Sequence, residues 1–171
     1  MSSLAITLSM TALNVVFWTA FNFSVAFLVR CLPKRLFSCN RAFYREFRFE
    51  KRLYRILRVN RWKDHLPEAG GLAGFSKRSL AGELTLPYVE TFLTETCIAE
   101  VGHLCIGVLG FCSVGFSWLL PDPYPYIPLF LGFATLDLLV QLLFVIIQRY
   151  NRPRLLRLHS LLMARDISMV Q

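Results

Sequence analysis

Charge is scarce in this chain, and its absence is organised. Leu4–Val29 (LAITLSMTALNVVFWTAFNFSVAFLV) has no ionisable side chain in 26 residues, and charged residues make up 18% of the whole, against about a quarter in a soluble domain. The opening MSSLAITLS has no Lys or Arg. A cleaved signal peptide needs a basic n-region and a small-residue cleavage site, and neither precedes Arg30, so a retained helix is expected. The outer-loop candidate Pro121–Tyr126 also lacks Lys and Arg. Only three histidines are present, and the five cysteines include no CxxC pair. GxSxG, P-loop and dinucleotide fingerprints are absent, which removes the common hydrolase, nucleotide and Rossmann chemistries.

What is present falls into blocks. Three apolar stretches, about 4–29, 97–120 and 127–147, alternate with charged ones. A hydrocarbon core of about 30 Å needs roughly 20 helical residues, so each is long enough to span. The expected fold is an all-α integral membrane protein: three transmembrane helices and a cytoplasmic interfacial amphipathic region, in one domain of 171 residues. All 19 Lys and Arg lie in two segments, Arg30–Arg78 and Arg149–Arg165. Three spans place both on the same side, and the positive-inside rule makes that side cytoplasmic. The amino terminus is then outside, and residues 30–95 and 148–171 are cytoplasmic. Trp118, Tyr124 and Tyr126 suit an outer aromatic belt. With the net charge of +8 flanking spans, anionic membrane lipids are the expected partner rather than nucleic acid. Disulfides are not expected among Cys31, Cys39, Cys97, Cys105 and Cys112, which read by default as small packing residues, with a catalytic thiol on Cys97 or Cys105 as the alternative.

Residues 33–64 interleave rings and bases. Phe43, Phe47, Tyr54 and Leu57 recur near helical spacing among Arg45, Arg48, Arg52, Arg55 and Arg58, which predicts a helix lying flat in the headgroups. Pro67, Gly70, Gly71 and Gly74 predict a surface loop. Thr85 followed by Pro87 reads as a helix start near Leu86 that runs on into the second span.

Ionisable groups inside a span are costly and mark function by default. Thr96, Glu100, His103, Gly107 and Gly110 fall at helical spacing on one face. Glu100 stands one turn from His103, near enough to orient its ring, and Gly107 and Gly110 leave room for a neighbour. Asp137, Gln141 and Gln148 repeat the pattern on the third stretch, and Asn14 and Asn22 lie on the first. At 1.5 Å per residue, Asn22, His103 and Gln141 all sit roughly 10–12 Å below the cytoplasmic surface, where a lipid headgroup would meet them.

Four blocks together resemble a known family. Gln148–Leu155 (QRYNRPRL), Glu95–His103 (ETCIAEVGH), Phe47–Lys51 (FRFEK) and Arg61–Lys63 (RWK) are similar, in order, to the glycosyl-4,4'-diaponeurosporenoate acyltransferases. The resemblance implies transfer of a fatty acyl group to the glucose 6-hydroxyl of a glycosylated carotenoid, the last step of staphyloxanthin-type synthesis, in a bacterial cytoplasmic membrane. The chain departs from the family in Asp64–Glu68 after RWK, in a shorter stretch between Phe49 and Trp62, and in Gln141. The expected catalytic residues are His103 as general base, Glu100 as its orienting carboxylate, and Glu95. Arg149, Arg152 and Arg154 would grip donor phosphates and Asn151 would donate to the oxyanion. Trp62, Lys63, Asp64, Gln141 and Gln148 would hold the acceptor. The implied partners are the lipid acceptor and an acyl thioester, acyl-CoA or acyl carrier protein. No cofactor or metal is expected. A homo-oligomer would complete a small pocket, with Ala99, Gly102, Gly107 and Gly110 as close-contact residues. The alternatives are a lipid hydrolase or transferase with a metal at Glu95, Glu100 and His103, and a non-enzymatic membrane scaffold.

Overall fold

The computed structural model describes residues 3–66, 85–120 and 122–170. The loop expected around Pro67–Gly74 lies outside the described residues, which are helical with no strand among them. The described residues form five α-helices: α1 Ser3–Arg30, α2 Glu50–Ile56, α3 Val59–Trp62, α4 Leu86–Leu109 and α5 Ile127–Val170. The chain divides into two compact units, 1–32 with 101–142, and 33–100 with 143–171.

The first unit is held by aromatic rings. Phe17 on α1 meets Phe116 edge-on at 4.6 Å, and Phe116 meets Phe130 of α5 at 6.3 Å. After Leu109 the helix tightens to 3-10 geometry over Gly110–Leu119. Two glycines and two serines there (GFCSVGFSWL) weaken α-helical preference, and Ser117 returns its hydroxyl to the Val114 carbonyl at 2.8 Å. Two glycines stand where α4 and its continuation approach their neighbours closely. A Cβ at Gly107 would meet Leu138 Cδ1 at 2.8 Å, and one at Gly110 would meet the Trp18 ring at 3.2 Å.

The second unit packs the start of α4 against the end of α5. Val89, Leu93 and Leu155 form a buried cluster joined by Cys39, Phe92, Leu158 and Leu162. The helix begins as the sequence predicts, with the Val89 amide on the Thr85 carbonyl at 3.2 Å. Two expectations change here. Residues 33–64 are not one flat helix. They form two 3-10 turns, Lys34–Phe37 and Ala42–Tyr44, then α2 and α3, separated at Arg58, whose φ of 49° is left-handed. The reason is competition for carbonyls. Phe43, Tyr44 and Arg45 each give theirs to an arginine of α5 instead of to a helical amide. The rings also divide. Phe43, Phe47 and Phe49 are exposed, whereas Tyr44 and Tyr54 turn inward. The second change is that 148–171 is no separate tail, because α5 runs on through it for 44 residues despite Pro153. That proline leaves the Arg149 carbonyl without its helical donor.

Two helical stretches are long and apolar enough to cross a membrane, Leu86–Leu119 and Tyr124–Ser168. In α1 the described side chains make a shorter apolar stretch, Asn14–Arg30.

Candidate functional site

Two polar clusters carry the chemistry-bearing side chains, one in each unit.

The cluster of the first unit centres on His103. Its Nδ1 lies 2.7 Å from Gln141 Oε1. The Gln141 amide is fixed at its other end, where Nε2 donates to Asp137 Oδ1 at 3.0 Å and, at 3.4 Å, to Asn22 Oδ1. Asn22 in turn donates to the Trp18 carbonyl at 2.7 Å. Two acceptors at the amide nitrogen orient the group, so its oxygen faces the imidazole. A carbonyl oxygen can only accept, so Nδ1 holds the proton and the lone pair of the neutral ring lies on Nε2. Asn22, His103 and Gln141, expected at one depth, thus meet in one network. Asp137 Oδ2 and Ser113 Oγ are buried without a hydrogen-bond partner among the described residues. Ser113 and Ser117, both fully buried, were not singled out from the sequence. A hydroxyl three residues beyond Gly110 on the polar face was the available signal.

The cluster of the second unit centres on Glu100, which is 1% exposed. One of its oxygens accepts from Arg149 Nη1 and the other from Arg152 Nη2, each at 2.5 Å. Arg149 also donates to Glu50 Oε1 at 2.7 Å and to the carbonyls of Phe43 and Arg45. Arg152 donates to Thr96 Oγ1 and to the carbonyls of Thr96 and Tyr44. Each guanidinium thereby uses four of its five N–H groups inside the protein. The rings of Phe47 and Tyr44 lie 5.2 Å from them, a cation–π distance. Tyr54 donates to Glu50 Oε2 at 2.8 Å. Burial, then that bond, raises the Tyr54 hydroxyl above its usual range, and burial first of all pushes Tyr44 up to about 12. Both phenols stay protonated donors at neutral pH.

The expected roles redistribute accordingly. Glu100, read as the group orienting His103, gives both oxygens to guanidiniums, and Gln141 is the residue that holds the imidazole. Arg149 and Arg152, read as phosphate grips, tie α4, α5 and the 43–50 segment together. Arg154 donates to the Tyr150 hydroxyl at 2.7 Å, with that ring 4.4 Å beneath it. Glu95, Gln148 and Asn151 are half-buried on α4 and α5. Trp62 donates to the Leu57 carbonyl at 2.8 Å, and Lys63 pairs with Asp64 at 2.7 Å. Glu95, Glu100 and His103 form no three-ligand metal group among the described residues. Glu50 was not singled out as a site residue, although it is one of only two acids among the bases of residues 30–63.

A cavity of about 320 Å³ opens beside the second cluster. Cys39, Tyr44, Arg45, Glu50, Arg152 and Leu156 are among its walls, and Arg157 completes one side.

The chain is an acyltransferase. It belongs to the family described as glycosyl-4,4'-diaponeurosporenoate acyltransferase, whose family model matches residues 40–161 and so takes in all four blocks noted in the sequence. It is similar to the glycosyl-4,4'-diaponeurosporenoate acyltransferase of Staphylococcus haemolyticus (strain JCSC1435), at 28% identity over 160 residues, covering 88% of this chain and 85% of that one. No solved structure matches it. The membership sets aside the non-enzymatic scaffold.

Proposed function

We propose that this chain moves a fatty acyl group from a thioester donor to a sugar hydroxyl of a glycosylated, carotenoid-like lipid at the cytoplasmic face of a bacterial membrane. The observation that carries the mechanism is the Gln141 amide. Anchored by Asp137 and Asn22, it holds the His103 ring in the tautomer whose Nε2 is basic.

An ester forms when the hydroxyl oxygen attacks the thioester carbonyl carbon and loses its proton, while the carbon–sulfur bond breaks. His103 Nε2 takes that proton as the oxygen attacks, which avoids building a full alkoxide. Gln141 stabilises the imidazolium through Nδ1–H, and the Asp137 carboxylate behind it opposes the new charge. Asn151 on α5 is the candidate donor to the oxyanion. Arg45 and Arg157, exposed on the cavity and without a carboxylate partner among the described residues, take the phosphates of the donor carrier. This suits their freedom better than it suits Arg149 and Arg152. Trp62, Lys63 and Asp64 are the surface candidates for the sugar.

A lipid acceptor suits a membrane-embedded enzyme. The most apolar stretch of α5 is only 22% buried within the protein, with Leu129, Phe133, Leu136 and Leu139 on its surface. A core helix of a soluble protein would cover such residues, and lipid tails cover them here. At about 1.5 Å per residue α5 extends roughly 65 Å, twice the hydrocarbon thickness, so its basic second half stands in the cytoplasm. With α1 as the third span, the amino terminus is outside.

The direct test is purified protein in nanodiscs with labelled palmitoyl-CoA and a glucosylated C30 carotenoid acid. Label is expected in an ester of the sugar 6-hydroxyl. Label appearing only as free fatty acid would make the protein a thioesterase and overturn the reading.

A further inference from the structure

Cys39 stands just before the stretch that the family model matches and has no role in the chemistry above. It lies between the two 3-10 turns of the second unit and faces the cavity. Its sulfur is 3.2 Å from Cys97 Sγ of α4 and 3.5 Å from the Leu93 carbonyl oxygen, and both cysteines are free thiols. The two are unequal. Cys97 is wholly buried, while Cys39 is half-buried on the cavity wall. One thiol is therefore reachable, and the other is sealed behind it within hydrogen-bond distance, where its S–H can donate to the first.

The surroundings favour a thiolate at the reachable one. The hydrogen bond from Cys97 lowers the Cys39 pKa most, burial opposes it, the Arg152 guanidinium lowers it, and the Glu100 charge raises it. The net effect brings it from 9.0 to about 7. A thiol at that value is largely nucleophilic at cytoplasmic pH while keeping intrinsic reactivity. The rest of the cavity wall is mixed. Arg45 and Arg157 offer positive charge, and Pro153 and Leu156 offer apolar surface. That pairing matches a phosphorylated carrier joined to an acyl chain.

We propose that Cys39 is the acyl-accepting nucleophile of this enzyme, a step that rests on the acyl-transfer reading and refines it. The Cys39 thiolate attacks the donor carbonyl carbon, and a carbon–sulfur bond to Sγ forms as the donor's carbon–sulfur bond breaks. The carrier leaves as its thiolate. In the second half the acceptor hydroxyl attacks the Cys39 thioester and gives up its proton to a general base, and Cys39 returns as the leaving thiolate. One thioester exchanges for another, then for an ester, with no oxidant or reductant. Cys97 is a positioning residue in this scheme.

The full-length protein in nanodiscs, given palmitoyl-CoA without acceptor, should gain one palmitoyl mass per chain. The adduct should be labile to hydroxylamine, map to the peptide holding Cys39, and discharge when glycosylated carotenoid is added. Cys39→Ala should lose the adduct, and Cys31→Ala should keep it. Cys39→Ser should retain the acyl group as a hydroxylamine-resistant ester. Cys97→Ala should shift the pH dependence of adduct formation upward, because the thiolate loses its donor, whereas a packing role would leave the profile in place. Peptide mapping of the wild type stands even if a variant folds poorly. An adduct on another residue, or ester product forming at the wild-type rate in folded Cys39→Ala, would overturn the inference and leave the acyltransferase reading intact. A wild type that makes neither adduct nor ester would remove both.

Discussion

Removing Glu100 should unfold this protein more readily than removing any other single acid. Its carboxylate is 1% exposed and neutralises two guanidiniums, one of them on Arg152, itself 2% exposed. The consequences for the two arginines differ. Arg149 keeps Glu50 at 2.7 Å. Arg152 keeps only uncharged partners, the Thr96 hydroxyl and the carbonyls of Thr96 and Tyr44. Glu100→Ala thus leaves one buried cation without an anion, a cost of about 3–5 kcal/mol. Glu100→Gln keeps a hydrogen-bonding oxygen and should cost about 1.5–3 kcal/mol, the worth of a charge-assisted bond. Glu50→Gln should cost less than Glu100→Gln, because Arg149 retains Glu100. The assay is thermal unfolding in one fixed detergent, with chemical denaturation to convert shifts into energies. Adding Arg152→Met to Glu100→Ala removes the orphaned cation, so the double variant should be more stable than Glu100→Ala alone. Should Glu100→Ala melt within about 1 kcal/mol of the wild type, the two arginines are solvated and the ionic tie described here is wrong.

Other outcomes follow from the same geometry. Gln141→Leu removes the acceptor that fixes His103, a bond worth about 1 kcal/mol or more, so kcat should fall about tenfold with KM little changed, read by initial rates of ester formation. Gly107→Val should destabilise by about 1–3 kcal/mol through overpacking, since its Cβ would meet Leu138 Cδ1 at 2.8 Å, whereas Gly102→Ala, with nothing within 4 Å, should be neutral or slightly stabilising in the same melt. Alkylation of Cys39 by iodoacetamide should rise as pH climbs through about 7 and then level off, because the lowered pKa makes thiolate available from there upward. A midpoint near 9 would show the thiol unperturbed.

Much of the arrangement was readable from residue order. Apolar length located the helices, and Thr85 with Pro87 located the start of α4. Counting residues from the helix ends placed Asn22, His103 and Gln141 at one level, where they hydrogen-bond. Local spacing misled at Glu100. A carboxylate one turn from an imidazole invites pairing, but two arginines 49 and 52 residues further on bind it. In a low dielectric a cation outbids a neutral ring, and no local pattern shows which cation arrives. The same non-local competition broke the expected helix over 33–64, where the carbonyls of Phe43, Tyr44 and Arg45 serve α5. The Cys39–Cys97 pair is 58 residues apart, with Cys39 in a basic segment and Cys97 in an apolar one, and no local pattern joins them.

The central claim is that His103 takes the acceptor's proton. It is tested most directly by comparing initial rates of labelled ester formation for the wild type and His103→Ala in identical nanodiscs, with equal folding shown by thermal melts. Loss of a general base predicts a fall in kcat of about 10²–10⁴-fold. A His103→Ala protein that forms ester within about twofold of the wild-type rate would contradict the account.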